Sequence, residues 1–290
     1  MGNQSTSIYS VDDISSLRNG AAIIRRLQWL DDRLFWHGGF RRNDMVARFT
    51  ISPQQASADI AQYQGIAPSN ARLDSATKAY VRVDGYVPMF PKDAFAWMRQ
   101  AAEVRDHSVL PCESLAMPAR RVDSDVMGVL MAGYETRTAT VIEYQSLSSE
   151  APSRRVICPH HVVDTGDRVH VRAWDDRRRI FTDFVVGRML SAQPEPSYPW
   201  VDEVADVQWN ETIPVRLAPH PGLSDTQRRV VEHEHGMRNG CVAITVRKAL
   251  VVYLLDRLGL LGAVRDGSGI PDVARGIRCL NPEDVTAFTP

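Results

Sequence analysis

Residues 51–64, ISPQQASADIAQYQ, constrain the fold most strongly, because they combine a helix start with a one-sided apolar pattern. Ser52 is a predicted N-cap, Pro53 follows at the first helical position, and Gln55 completes a predicted capping box. The apolar spacing predicts a buried face formed by Ala56, Ile60 and Tyr63. The remaining surface carries amides and a hydroxyl where a surface helix usually carries Lys and Glu, so it calls for a specific explanation.

Two predicted helices precede this one. Residues 21–37 carry Ile and Leu at spacings of three and four, and Gly38 and Gly39 end the pattern. Residues 41–49 predict a short helix with Asn43 as its N-cap, whose inward side chains are Met45, Val46 and Phe49. A turn of three residues then leads into the helix that begins at Pro53. This order predicts a helix-turn-helix.

In a helix-turn-helix, the N-terminal residues of the last helix meet base edges in the major groove. A Gln amide can bond adenine N6 and N7 together, Ser can serve several bases, and Arg or Lys balances phosphate charge. Residues 71–83 alternate around a polar tip at 74–77, which predicts a hairpin wing. The predicted DNA contacts are Arg41, Arg42, Ser52, Gln54, Gln55, Ser57, Arg72 and Lys78.

A packing module is the alternative explanation of the same pattern. Three-helix units with polar faces also occur without DNA, and Gln is a good helix former. We favour DNA binding, since glutamines at the helix start suit base recognition. Asp59, on the same helix, would then have to point away from phosphate.

The middle of the chain changes to short β-like runs. They cover residues 127–134, 138–147, 154–166, 168–175 and 180–190, with turn signals between them, and predict a small, strongly bent sheet or barrel. Tyr144 and Ser146 are two residues apart and share a predicted strand face, as do His170 and Arg172. Further donors are Arg154, Arg155, His160, His161 and Arg188. Such a set suits an anionic ligand, although each residue alone could equally be solvated or satisfied internally.

The last third predicts a linker over residues 191–211 and then a β-α-β-α unit. Residues 212–219 read as a strand, and Ser224 caps a predicted helix. A second strand and helix follow within residues 241–259. The apolar positions of the last helix could be core or dimer interface, and they are Val251, Leu254, Leu255 and Leu258.

Composition excludes several classes of protein. No run of about 18 apolar residues occurs, and the first 13 residues lack a secretory leader pattern. Four separated cysteines suit a reducing cytoplasm, and they are Cys112, Cys158, Cys241 and Cys279. The net charge of −1 means that nucleic acid must be bound through local patches.

No catalytic or cofactor motif is recognisable, so we expect neither an enzyme, a cofactor nor a metal site. His233 and His235 lie two residues apart on a predicted helix. Their side chains therefore point about 200° apart and cannot coordinate one metal ion. The rival is a phosphodiesterase or nuclease using His160, His161 and the arginines. Its missing acidic metal cluster counts against it.

Two long stretches carry a family resemblance. Residues 41–64 with 68–81, and residues 142–189 with their RRVICPHHVVDTGDRVHVRAWDD core, resemble the BrxR/CapW type of WYL-domain transcription regulators, found beside bacterial anti-phage systems. The resemblance covers nearly the whole chain. The Trp-Tyr-Leu triplet that gives the WYL domain its name appears here as Val169-His170-Val171.

The resemblance implies an α+β multidomain chain with a winged helix-turn-helix, a central SH3-like β-barrel (the WYL domain) and a small C-terminal α/β dimerisation domain. We place these at residues 1–90, 122–192 and 212–290, with a connecting helix and linker at 91–121 and a linker at 193–211. The implied pocket residues are Tyr144, Ser146, His161, His170, Arg172 and Arg188, with Arg155 and Arg154 as lesser candidates.

By the same resemblance, the chain is a cytoplasmic homodimeric repressor of an anti-phage defence operon. Its partners would be double-stranded operator DNA and a nucleotide or oligonucleotide effector, with no membrane contact. An activator of the same architecture remains an alternative, because operator position decides the sign of regulation.

Overall fold

The structure is a computed structural model that describes residues 11–15, 19–104 and 120–289. The expectations about the N-terminal leader, about Cys112 and about residues 105–119 of the 91–121 connecting segment fall outside these ranges. The chain divides into two units, residues 1–117 and 118–290, and each is described by itself.

Within the described residues, the first unit is a winged helix-turn-helix with five helices and a three-stranded sheet of order β1-β3-β2. Its elements are α1 (Val11–Ser15), α2 (Gly20–His37), β1 (Gly39–Phe40), α3 (Arg42–Phe49), α4 (Pro53–Ile66), β2 (Ala71–Asp74), β3 (Ala79–Arg82) and α5 (Ala94–Val104). The predicted wing is confirmed as the β2–β3 hairpin, whose tip lies at residues 75–78. The ring of Trp97 on α5 stacks on Trp36 of α2 at 4.9 Å between centroids.

The helix boundaries follow from their caps, with one correction. Gly38 ends α2 in a left-handed conformation. Asn43 is not the N-cap of α3, because the Asp44 carboxylate accepts the Arg41 backbone N–H at 2.8 Å and the helix therefore begins at Arg42. Thr50 closes α3 with φ 52°, which makes the turn into α4 tight.

The core of the first unit is closed by a buried carboxylate, Asp31 of α2. Its oxygens accept hydrogen bonds from the hydroxyls of Tyr63 and Tyr86 at 2.6 and 2.8 Å, and from the backbone N–H groups of Met89 and Phe90. Lys92 adds an ion pair at 2.7 Å. Burial alone would raise the pKa of Asp31, but these hydrogen bonds outweigh it and hold the pKa below its usual value. One side chain thus joins α2, α4 and the segment after the wing.

The second unit begins with a helix, part of which the sequence pattern wrongly predicts as a strand. Its elements are α6 (Ser124–Thr136), β4 (Ala139–Tyr144), β5 (Ser153–Asp164), β6 (Val169–Asp175), β7 (Ile180–Val185), β8 (Met189–Glu195), α7 (Val207–Asn210), β9 (Thr212–Pro219), α8 (Asp225–Glu234), β10 (Val242–Arg247), α9 (Val251–Arg257), α10 (Leu261–Arg265), β11 (Ile277–Cys279) and α11 (Pro282–Val285). Residues 127–134, predicted as a strand, lie within α6, which Asp123 caps. Gly133 is no turn: a Cβ there would lie 2.9 Å from the carbonyl oxygen of Thr138, so the glycine permits close packing.

The central sheet has five antiparallel strands in the order β7-β6-β5-β4-β8. α6 packs against it over a core that includes Val126, Leu130 and Ile142. The strand pairings among the described residues leave β7 and β8 as the two edges, so they form no closed barrel. The expected SH3-like barrel is therefore not confirmed; the described strands form an open, bulged sheet with a register shift between Pro159 and His161.

The stretch predicted as a linker, residues 191–211, contains ordered structure. It holds the end of β8, a 3₁₀ turn at Glu203–Ala205 and α7. The Cys158 thiol on β5 accepts the backbone N–H of Val201, and the Tyr198 hydroxyl donates to Asp176 at 2.8 Å. The stretch is thereby fastened to the sheet that precedes it.

The C-terminal part confirms the predicted strands at 212–219 and 242–247 and both predicted helices. Its sheet has the order β10-β9-β11. Ser224 caps α8, accepting the Gln227 N–H. Val251 and Leu255 of α9 are fully buried, and Leu254 and Leu258 pack partly buried against the same core, so these four residues serve as core within the chain.

Candidate DNA-binding surface and ligand pocket

The α4 helix places its polar residues on an open surface because its other side is buried. Ala56, Ile60 and Tyr63 are at most 2% exposed. Residues of an α-helix are about 100° apart around its axis, so Gln54 lies opposite this buried face. Its side chain is exposed and has no hydrogen-bond partner among the residues described. The Ser52 hydroxyl accepts the Gln55 N–H at 3.1 Å and keeps its own proton available.

Asp59, whose charge would repel phosphate, is removed from this surface. It is 1% exposed, and the Arg26 guanidinium of α2 binds it through Nε at 2.7 Å and Nη2 at 3.1 Å. The Gln55 amide also donates to Asp59, at 3.0 Å. The predicted return bond from the Gln55 side chain to the Ser52 N–H is therefore not made, and only half of the capping box forms.

The other predicted DNA contacts surround α4 at exposed positions. The Arg42 guanidinium donates to the Ser57 hydroxyl at 3.2 Å, and that hydroxyl donates to the carbonyl of Pro53. Arg41 is exposed at the start of α3. On the wing, Arg72 and Lys78 are exposed, and Lys78 has φ 56°. Their contact with DNA stays a prediction.

Sequence reasoning missed two positions on the outward side of α4. Ala58 and Ala61 are exposed on the same side as Gln54. Methyl groups at such positions allow close approach to the groove and can contact thymine methyls. The signal was available, because their spacing from Gln54 matches the helix period, but alanine carries no chemistry that singles it out.

The predicted ligand residues on the central sheet are not gathered in one place. Arg172 on β6 is 4% exposed, and its guanidinium forms ion pairs with two carboxylates. Its Nε and Nη2 donate to Asp206 at 2.7 and 3.1 Å, and its Nη1 donates to Asp183 at 3.4 Å. Burial would raise the pKa of Asp206, but the hydrogen bonds from His160 and Arg172 outweigh it and hold the pKa far below its usual value. This network joins the sheet to the residues just before α7.

His170 lies in a different place, at a cavity of about 360 Å³ between the β5–β6 turn and α9. Its ring meets that of Tyr253 edge-on at 4.7 Å, and the Tyr253 hydroxyl donates to Asp183 at 2.9 Å. Both ring nitrogens of His170 are buried without a partner among the described residues, and burial lowers the pKa of the ring. The cavity is lined by Thr165, Gly166, Asp167, Arg168, His170, Tyr253, Asp256 and Arg257.

His161 faces a third location. Its ring contacts that of Trp209 at 4.3 Å between centroids with a tilt of 37°, and its Nδ1 lies 2.6 Å from Nδ1 of His160. Burial and the neighbouring His160 lower the pKa of His161. His160 also approaches Asp206 through Nε2 at 3.2 Å. The pair lines an apolar cavity of about 300 Å³ beside α6.

Of the remaining ligand candidates, most have hydrogen-bond or ion-pair partners among the described residues, and one has none. The Tyr144 hydroxyl accepts the Val185 N–H, and the Ser146 hydroxyl, beyond the end of β4, is bonded to that of Ser148. Arg155 pairs with Asp175 at 2.6 Å, and exposed Arg154 approaches Glu195 at 3.5 Å. The half-buried guanidinium of Arg188 has no hydrogen bond or ion pair within the part of the chain that the structure covers.

Two further observations bear on the class of protein. In residues 11–15, 19–104 and 120–289, no group of three or more His, Cys, Asp or Glu side chains is placed to hold a metal ion. No helix in those ranges has the length and apolar character needed to cross a membrane.

Three protein-family models match successive parts of the chain. The BrxR transcriptional regulator winged helix-turn-helix domain matches residues 23–100, the WYL domain matches residues 125–194, and the BrxR transcriptional regulator C-terminal dimerization domain matches residues 212–285. The first match falls on the winged helix described above, and the other two fall on the two sheets of the second unit.

Relatives of known role align over most of the chain. The DNA-binding transcriptional repressor CapW of Stenotrophomonas maltophilia is 33% identical over 247 residues, 81% of this chain and 83% of that protein. The proteins of the same name from Pseudomonas aeruginosa and Escherichia coli are each 32% identical over 81% of this chain and 82% of their own length. At this identity and coverage, the chain belongs to the BrxR/CapW family of WYL-domain transcriptional regulators.

Proposed function

We propose that this chain represses transcription by binding an inverted-repeat operator as a homodimer, and that a ligand of the WYL domain releases it. The observation that carries the proposal is the exposed, partner-free Gln54 beside Ser52 at the start of α4, with the only acid of that helix neutralised by Arg26. The relatives named DNA-binding transcriptional repressors support the sign of regulation. The proposed domains are residues 1–90, 122–192 and 212–290, and the proposed target is an anti-phage defence operon.

The dimer sets the geometry of the operator. A two-fold dimer presents two copies of α4, so its half-sites would form an inverted repeat about one helical turn apart. The match to a dimerization domain over residues 212–285 supports this arrangement. A ligand can weaken operator binding only by its differential affinity for two dimer geometries, and a coupling of about 1–3 kcal/mol would be sufficient.

The proposed ligand is a nucleotide or nucleic-acid fragment. The cavity beside His170 supports this part of the proposal, because it combines two unpartnered ring nitrogens with Arg168 and Arg257. Buried polar groups without partners are rare and call for an explanation such as a bound group. Arg188 has no hydrogen-bond or ion-pair partner among the described residues and is an open cation of this domain. Arg172 and Arg155 would instead support the sheet, since carboxylates already occupy them.

The test is a binding titration of the full chain against its own upstream intergenic DNA and a scrambled duplex, at several salt concentrations. We expect tight, saturable binding to the first at one dimer per inverted repeat, and weak, salt-sensitive binding to the second. Equal weak binding to both would refute sequence-specific recognition.

The Gln54→Ala variant should weaken binding to the upstream DNA by about 1–3 kcal/mol and spare binding to the scrambled duplex. The reason is that Gln54 faces outward and makes no internal contact among the described residues, so its loss removes base contacts alone. Gln193→Ala, an exposed glutamine on β8, is the matched control. An equal loss on both duplexes would exclude Gln54 as a base reader.

The Lys78→Ala variant should weaken binding to both duplexes and reduce the slope of log affinity against log salt by about one. Lys78 is exposed at the wing tip, and its backbone has a positive φ of 56°. Lysine and alanine both carry a Cβ, so the backbone strain is the same in the two proteins and the substitution removes mainly charge. Arg178→Ala, on the exposed β6–β7 turn, matches the loss of charge. If both variants keep the wild-type slope, Lys78 does not touch phosphate.

A further inference from the structure

The chain of contacts from Arg26 through Asp59 to Gln55 has a chemical direction. Arg26 can only donate, and the ionised Asp59 that it binds can only accept. The Gln55 amide group that lies 3.0 Å from Asp59 must therefore be the NH₂ group, because a carbonyl oxygen there would face another acceptor. The orientation of this amide is thus set by charge.

This orientation leaves a defined group available to DNA. Gln55 is exposed at the third position of α4, within the part of a recognition helix that meets base edges. Its carbonyl oxygen accepts no hydrogen bond from any residue described. One N–H of the amide is used by Asp59, and the other remains free. Gln55 therefore offers a fixed acceptor accompanied by one donor.

We propose that Asp59 is a positioning residue for base recognition, which holds the Gln55 amide so that its carbonyl oxygen selects a base with an exocyclic amino group. This inference rests on the proposed function. In the major groove, adenine N6 and cytosine N4 donate, whereas guanine O6 and thymine O4 accept and would oppose a carbonyl oxygen. Adenine is favoured over cytosine, since its N7 can accept the free N–H of the same amide.

The electrostatics explain why a buried ion pair lies beneath this surface. Without Asp59, the amide of Gln55 could rotate by 180° and present either edge to the groove, so a keto base would be accepted as well as an amino base. Without Arg26, Asp59 would be an unpaired charge at 1% exposure, which is costly. Arg26 thus balances the charge of Asp59, and Asp59 keeps Gln55 oriented.

The experiment is selection from a random double-stranded DNA library by the full-length protein, followed by competition with each single-base-pair variant of the selected site. Wild type should select a site in which one position per half-site prefers adenine over guanine by about tenfold or more. Asp59→Asn should lose this preference at that position and leave the other positions unchanged. In a Gln55→Leu background, adding Asp59→Asn should produce no further change at that position.

A second variant covers the case in which Asp59→Asn fails to fold, as judged by its melting temperature. Gln55→Glu retains both Arg26 and Asp59, keeps an acceptor and removes the donor that Asp59 binds. It should shift the preference from adenine toward cytosine, because a carboxylate can accept from cytosine N4 but cannot donate to adenine N7.

The outcomes separate the two levels of the proposal. A wild-type protein that selects no sequence would overturn the proposed function and this inference with it. Selection by wild type, with an unchanged base preference in Asp59→Asn or an unchanged adenine-to-cytosine ratio in Gln55→Glu, would overturn the positioning role alone. A uniform loss of affinity across all base pairs in Asp59→Asn would make Asp59 purely structural.

Discussion

The Asp31→Ala variant is expected to lose about 3–5 kcal/mol of the free energy of unfolding of the N-terminal unit, and with it DNA binding. The substitution leaves Lys92, whose side chain is 8% exposed, with Asp32 as its remaining ion-pair partner. It also removes the acceptor of two tyrosine hydroxyls and two backbone N–H groups. Each buried donor without a partner adds a desolvation cost of about 1–3 kcal/mol, part of which local rearrangement or water would recover.

Urea unfolding followed by amide hydrogen exchange in α2 and α4 would measure this loss for the N-terminal unit separately. Asp32→Ala is the matched control, because Asp32 also pairs with Lys92 but its side chain is 31% exposed. Its expected cost is about 1 kcal/mol or less. Similar losses for both variants would show that the buried hydrogen bonds of Asp31 contribute little.

Arg172→Met should cost about 3–5 kcal/mol of the stability of the second unit, because it leaves two carboxylates without their shared cation. Asp206 is 2% exposed and would keep only His160 and the Trp209 N–H, while Asp183 would keep the Tyr253 hydroxyl. Arg154→Met removes an equally charged but 74% exposed side chain from the neighbouring strand, and should cost about 1 kcal/mol or less.

Hydrogen exchange in β5 and β6 would measure the effect of both arginine variants. A cost for Arg172→Met no larger than that of Arg154→Met would mean that the carboxylates are solvated or repaired by other donors. In that case Arg172 would return to the set of open ligand candidates.

The N-terminal unit could be predicted closely because its signals are local. Ser52 and Pro53 start α4, Gly38 ends α2, and the apolar spacing identifies Ala56, Ile60 and Tyr63 as core. The error at Asn43 has a simple cause: the Asp44 carboxylate accepts a hydrogen bond from the Arg41 N–H, and this bond fixes the helix start two residues earlier.

The second unit was harder to predict because its apolar runs lack a distinct period. Residues 127–134 are short and apolar on several sides, so neither a period of 2 nor one of 3.6 stands out. Gly133 resembles a turn signal, yet it is buried against β4. The contacts of the predicted ligand residues were hard to foresee for a related reason, since strand alternation places His170 and Arg172 on one face but cannot show that Asp206, 34 residues later, binds the arginine.

The fastening of residues 196–210 to the sheet has a mechanical consequence. Tyr198, Val201 and Asp206 are bonded to β6, β5 or the turn after β6, and β9 begins at Thr212, directly after α7. A hinge in this stretch would have to break the Arg172–Asp206 pair. The two sheets are therefore expected to move as one rigid body. A displacement of β6 would then displace β9 by a similar amount, with little bending between them.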